Sequence, residues 1–444
     1  MKKTFLFFLS SMGVLAPLAV AATNAVPTVA FVNVTVLPMD SERTLPRHTV
    51  LVQGDRIIEA GPTASVRVPP QAQRIDGSGK FLMPGLSEMH GHNPPPGSTP
   101  EYVEQVYFLF LANGVTTVRS MLGYPGQIAL REKVKSGAML GPTLYLAGPS
   151  FSGAGANAVQ TPEQAIERVR AQKAEGYDLL KVHPGLKRDV YDAMARTAKE
   201  VGLEFSGHVP TDVGLVHAIK SGQRTIDHLD GYIEDLAASS GAVDPAKLAE
   251  IVTLTRETGT WVVPTMVLWE TIIGSAAPAE LAAFPELKYV PRRMVDGWKT
   301  SYERKVNAPT FNRAEAKQIA ANRNVLLRAL ADGGARIAFG TDAPQIYSVP
   351  GFSVHREFTA MKEAGMSAFA VLQSATKAVG DYYKDVDSFG TVAVGQRADL
   401  ILLNENPLTD LSNMARRAGV MVRGKWISET EIQSRLKQIS ASTQ

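Results

Sequence analysis

Phe81-Leu82-Met83-Pro84-Gly85-Leu86-Ser87-Glu88-Met89-His90-Gly91-His92 is an apolar run that ends in two imidazoles one residue apart. On an extended strand side chains repeat every two residues, so both rings point the same way. Two neutral ring nitrogens converging on one point are half of a metal site. The pattern recurs downstream: Lys181, His208, His228 and Asp342 each stand at the tail of a short apolar run.

Eight such runs occur, at 81–89, 115–121, 143–147, 179–182, 204–207, 225–227, 261–265 and 336–340. Helix-like segments separate them. The segment 101–113 gathers Val103, Val106, Tyr107, Phe110 and Leu111 on one face. Another opens with Thr161-Pro162, has Gln164 placed for a capping box, and stops at Gly176. Strands alternating with helices in this way predict an α/β fold, a (β/α)8 TIM barrel over residues 81–385. The flanks, 28–80 and 386–444, are strand-rich and punctuated by turns such as Gly54-Asp55 and Gly61-Pro62. They predict one small β-sandwich domain formed from both termini. The excursion 270–313 holds Trp298, Tyr302 and several prolines. It is longer than ordinary connections, and loops of that length are often lids.

The chain has 444 residues, 45% of them apolar and 20% charged, which is ordinary for a soluble globular protein with one large and one small domain. Lys2-Lys3 precede an apolar stretch that ends in Ala19-Val20-Ala21, the pattern of a cleaved secretory signal over 1–21. A retained anchor is the alternative. The body is therefore expected to be exported, periplasmic or secreted, without stable membrane association after cleavage. Losing Lys2 and Lys3 takes the formal net charge from +3 to +1, so nothing points to nucleic acid as a partner. There is no cysteine, which excludes disulfides, thiolate ligands and a cysteine nucleophile. Any metal must be held by nitrogen and oxygen alone, a donor set that suits zinc.

In barrels of this type chemistry sits at the C-terminal ends of the strands, where all six residues fall. Four imidazoles and a carboxylate from four strands can surround one or two divalent ions. In the apolar stretch Leu179-Leu180-Lys181-Val182 a charged lysine is costly unless paired or modified. Of the eight histidines, His48 and His217 read as surface or structural, and His183, on the side of its strand opposite Lys181, as support for the metal ligands or as packing.

The run Pro84–His92, the Lys181 strand, His208, His228 and Gly340-Thr341-Asp342-Ala343 resemble the metal-dependent amidohydrolase superfamily, in its imidazolonepropionase-like and prolidase-like branch. The flanks match as well, in Val52-Gln53-Gly54-Asp55-Arg56-Ile57 and Gly395-Gln396-Arg397-Ala398-Asp399-Leu400. The resemblance implies His90, His92 and Asp342 on one divalent ion, His208 and His228 on a second, and an N6-carboxylated Lys181 bridging both. Two such ions can lower the pKa of a shared water from 15.7 towards about 7. Asp342 can then take the proton from the hydroxide and pass it to a leaving amine. Chemistry alone permits amide, lactam, ester or phosphoester substrates. The resemblance narrows this to C–N hydrolysis of a small molecule through a metal-bound hydroxide, and barrels of this superfamily often pair as homo-oligomers. Two other readings stay open: a mononuclear imidazolonepropionase-like hydrolase or deaminase with unmodified Lys181, and a non-catalytic metal-binding receptor.

Three further residues are candidates for contact with substrate. Arg119 could clamp a carboxylate or tie strand ends together. Tyr232 follows His228-Leu229-Asp230-Gly231, and His355 opens the segment after the eighth run. One departure bears on dipeptides. Prolidase-like relatives carry Gly-Gly-His after the third strand, where this chain has Gly153-Ala154-Gly155-Ala156-Asn157.

Overall fold

The structure is a computed structural model that describes residues 1, 27–236 and 241–443; apart from Met1, the expected signal segment lies outside the described residues. Five strands come first: β1 (Thr28–Val36), β2 (Leu45–Gln53), β3 (Arg56–Pro62), β4 (Gln73–Asp76) and β5 (Phe81–Pro84). Eight short strands follow: β6 (Leu86–Gly91), β7 (Val115–Ser120), β8 (Thr143–Leu146), β9 (Leu179–Val182), β10 (Glu204–Gly207), β11 (Thr225–Asp227), β12 (Trp261–Val263) and β13 (Arg336–Ile337). The chain ends with β14 (Leu400–Leu403), β15 (Arg417–Val422), β16 (Lys425–Ser428) and the helix Glu429–Ser442.

Both termini build one eight-stranded sheet in the order β16-β15-β14-β5-β1-β2-β3, with β4 also on β1. The sheet folds back on itself. Phe31 of β1 meets Trp426 of β16 edge to face at 5.4 Å although three strands separate them in the order. The inner residues Val34, Val50, Leu82, Leu400 and Met421 are buried between the two halves. The run at 81–92 therefore splits into two strands. β5 pairs with β1 and β14 in the terminal sheet, and β6 opens the barrel. Gly85 marks the break, since a Cβ there would lie 2.2 Å from Thr116 Oγ1. The first strand of the barrel thus begins at Leu86, not at residue 81.

The parallel strands form two arcs, β6-β7-β8 and β13-β12-β11-β10-β9. Backbone hydrogen bonds cross both seams between the arcs. Asp178 donates to Leu146 at 2.9 Å and Phe151 to Lys181 at 2.8 Å on one side, and Met89 donates to Phe339 at 2.8 Å on the other. Every residue of β6, β7 and β9 is buried, as befits parallel strands covered on both faces. Helix signals are realised too. Thr161 accepts from Gln164 N to start Pro162–Glu175, and Gly176 ends it at φ 90°. Tyr382 and Tyr383 plug the barrel beside Trp261, and Tyr383 stacks on Tyr145 at 3.8 Å. The excursion is a folded insertion: the helices Pro278–Ala282 and Arg292–Val306 pack Leu281, Tyr302 and Val306 against Tyr347. Among the described residues no helix is long and apolar enough to cross a membrane.

Candidate metal centre

The six residues predicted from strand ends converge. His90 Nε2 lies 3.0 Å from Lys181 Nζ and 3.8 Å from Asp342 Oδ1. His92 Nε2 bonds the same Asp342 oxygen, and His228 Nε2 lies 3.7 Å from the other. The rings of His90 and His208 stand 4.3 and 4.5 Å from that of His228. His90, His228 and Asp342 each offer one donor atom, and all three atoms lie within 4.8 Å of one another.

The backbone turns these groups inward at some conformational cost. His228 and Asp342 sit at φ 65° and 63°, in the left-handed region that residues other than glycine rarely adopt. Gly207 makes room for the lysine. With φ at 124°, a Cβ at this position would meet Lys181 Cδ at 2.9 Å, so the stem lies directly against the glycine backbone.

A set of carboxylates and a hydroxyl sits behind the imidazoles. Asp227 Oδ2 accepts from His90 Nδ1 at 2.7 Å, and Asp230 Oδ2 from His208 Nδ1 at 2.6 Å. A carboxylate only accepts, so each of these rings carries its proton on Nδ1 and its lone pair on Nε2. His228 Nδ1 bonds Thr265 Oγ1 at 2.7 Å. Burial, then the neighbouring Lys181 cation and His92, hold His90 well below the ordinary histidine range. Burial likewise holds His228 neutral, with His90 adding to the effect. Burial also draws Lys181 down to about 8, while Asp227 and Asp342 resist that shift. Glu88 braces the floor: its carboxylate accepts from His90 N at 3.0 Å, Thr341 N at 2.8 Å and Thr341 Oγ1 at 2.6 Å, and burial pushes it up to about 8.

This donor set fits a divalent cation. Neutral imidazoles aim lone pairs at one another and at a single carboxylate, and His92 Nδ1 is buried without a hydrogen-bond partner. Among the described residues only Lys181 Nζ, at His90 Nε2, offers these lone pairs a proton from outside the imidazoles.

Asp227, Asp230 and Thr265 were not singled out in the sequence. A signal was available: Asp227 is a carboxylate inside the apolar strand Thr225–Asp227 and beside His228, where a buried charge needs a partner. His183 also corrects the reading. It lies two residues beyond Lys181, so alternation returns it to the same side, and its ring packs 4.9 Å from His208. Burial, then His208, draws it down to about 4.

The three substrate candidates point elsewhere. Arg119 is fully buried and donates to Met89 O at 2.6 Å and Thr225 Oγ1 at 3.2 Å, inside the barrel. The hydroxyl of buried Tyr232 bonds Thr255 at 2.8 Å. His355 Nε2 meets Asn113 Oδ1 at 3.1 Å, at the end of the helix Pro100–Ala112. Asn157 is turned into its own loop, towards Ser150 Oγ at 3.5 Å.

An α/β barrel with two imidazoles and a carboxylate converging at its strand ends has the donor set of a metal-dependent hydrolase. The chain belongs to the amidohydrolase family, whose sequence pattern matches residues 81–427. Ochratoxinase of Aspergillus niger is 23% identical over 463 aligned residues, covering 89% of this chain and 85% of the relative. Bottromycin amidohydrolase superposes with a TM-score of 0.73 at 24% identity, covering 94% of this chain and 90% of the other. A Xaa-Pro dipeptidase with methionine bound in its active site gives 0.69 at 22%, covering 90% and 100%.

Proposed function

We propose that this chain is an exported amidohydrolase that cleaves a C–N bond of a small molecule at a binuclear centre. Zinc is the metal that the nitrogen and oxygen donors suit. The observation that carries the reading is the position of Lys181. Its Nζ lies 3.0 Å from His90 Nε2, in a buried site that draws the amine down to about 8. A larger neutral fraction of that amine favours reaction with carbon dioxide. The resulting carbamate would be a carboxylate beside His90. His90, His92 and Asp342 would hold one ion and His208 and His228 the other.

Two divalent ions held together supply an activated water and polarise a carbonyl. The chain's own groups do the rest. Asp227 and Asp230 fix which nitrogen of His90 and His208 faces the centre. Asp342 accepts a proton on a carboxylate oxygen and returns it to the leaving nitrogen. Export rests on the Lys2-Lys3 and Ala19-Val20-Ala21 pattern. The Xaa-Pro dipeptidase and bottromycin amidohydrolase among the similar structures support starting with dipeptides, N-acyl amino acids and cyclic amides.

A second reading draws on the His90–His228–Asp342 triple, whose compactness also suits a single ion. Elemental analysis of wild type and Lys181→Ala, each loaded with zinc and bicarbonate, separates the two. Two equivalents falling to one or none in the variant supports the lysine bridge. About one equivalent in both overturns it and leaves a mononuclear hydrolase.

A further inference from the structure

Beneath the metal centre a chain of buried polar groups runs along the barrel axis towards its tyrosine plug. The guanidinium of Arg119, on β7, is its hub. Nε donates to Met89 O at 2.6 Å, the carbonyl immediately before His90. Nη2 reaches Thr225 Oγ1 at 3.2 Å and both oxygens of Asp227 at 3.5 Å. Thr225 Oγ1 in turn donates to Asp227 Oδ1 at 2.6 Å, which leaves Oδ2 for His90 Nδ1 at 2.7 Å. On the far side Nη1 meets Tyr382 OH at 3.3 Å, and that hydroxyl donates to Glu204 Oε1 at 2.5 Å. Both Arg119 and Asp227 are fully buried, so neither can take a water in place of a lost partner.

We infer that Arg119 is a positioning residue for the metal centre, holding His90 at its backbone through Met89 and at its imidazole through Asp227. This rests on the metal-centre reading above. The guanidinium never meets substrate. It presets the direction of one ligand's lone pair, and it supplies the cation that lets Asp227 remain a buried carboxylate. Only a planar group with several donors can serve Met89, Thr225, Asp227 and Tyr382 together. A lysine ammonium keeps the charge and loses the span.

The test uses full-length protein stripped with a chelator and titrated with Zn2+ or Co2+. Arg119→Lys is expected to weaken binding of the ion at His90 by about ten- to a hundredfold, the usual consequence of removing a group that orients a ligand. Its Co2+ absorption bands should shift. Asp227→Asn should cost a similar factor, and the double variant little more than either single one, because both act on the same imidazole. Arg397→Lys, which alters a buried arginine outside the centre, should lower the melting temperature and leave metal affinity unchanged. Wild-type affinity in Arg119→Lys, or fully additive losses in the double variant, overturns the assignment. If Arg119→Lys does not fold, Tyr382→Phe decides. It removes the hydroxyl that joins Arg119 Nη1 to Glu204, and unchanged Co2+ bands and affinity there overturn the proposal. Wild-type protein that takes up no ion would instead fail the metal-centre reading itself.

Discussion

Strand β7 serves two buried polar clusters, and they are finished differently. Two residues before Arg119, Thr117 Oγ1 accepts from Arg397 Nη2 at 2.6 Å where the terminal sheet joins the barrel. There the other arms of Arg397 bond Asp399, at 2.7 Å, and Asp387, while Phe389 covers its plane at 4.4 Å. Asp399 also accepts from Arg423 N at 2.7 Å. Each edge of that guanidinium has its acceptor, and the cluster asks for no ligand. At the strand ends above β7, the Nε2 atoms of His90, His92 and His228 converge on the single carboxylate of Asp342. That surplus of lone pairs is what distinguishes a cation site from a structural knot of charges. Burial alone does not separate the two, because both clusters are almost fully enclosed.

The sharpest way to break this contrast is at Asp342. Asp342→Asn should lower kcat/KM by about 10²–10⁴-fold, the range for losing a proton-transfer group. Asparagine tolerates the left-handed φ of 63° held there, so the variant should still fold. Steady-state hydrolysis of whichever dipeptide or N-acyl amino acid proves to be turned over measures this, and an active Asp342→Asn would remove the residue from the chemistry. The mirror-image test is Arg397→Met. Leaving buried Asp399 without its guanidinium partner should cost about 3–5 kcal/mol of stability. Denaturant midpoints report that loss, and zinc content should stay at the wild-type level. A changed metal content would show that the two clusters are coupled through β7. The smallest effect is expected outside both clusters. His217 bonds Asp192 at 2.5 Å on a partly exposed helix face. His217→Gln should therefore alter stability by no more than about 0.5 kcal/mol and leave zinc binding intact.

These contrasts also mark what could be read early. The six centre residues were legible because they stand at the ends of five apolar runs, and strand ends in a barrel meet by topology. Arg119 ends such a run as well, yet its side chain turns down the barrel axis. Depth within the barrel depends on stagger between strands, which local sequence does not encode. Tyr232 and His355 likewise follow strand ends, but each found a partner on a neighbouring helix. The break at Gly85 was hidden inside a continuous apolar run. Only the pairing of Phe81–Pro84 with β1 and β14 assigns that stretch to the other sheet.

By itself the sequence determined the alternation of strands and helices, the union of both termini in a second β domain, and the donor types at the centre. Periodicity and residue chemistry are local properties, and they survive being read one segment at a time. Tertiary structure alone decided which nitrogen of His90 and His208 faces the centre, that Lys181 lies against Gly207, and that Arg119 supports rather than binds. Each of those depends on atoms from distant strands coming within about 3 Å of one another, the distance at which a hydrogen bond selects one orientation.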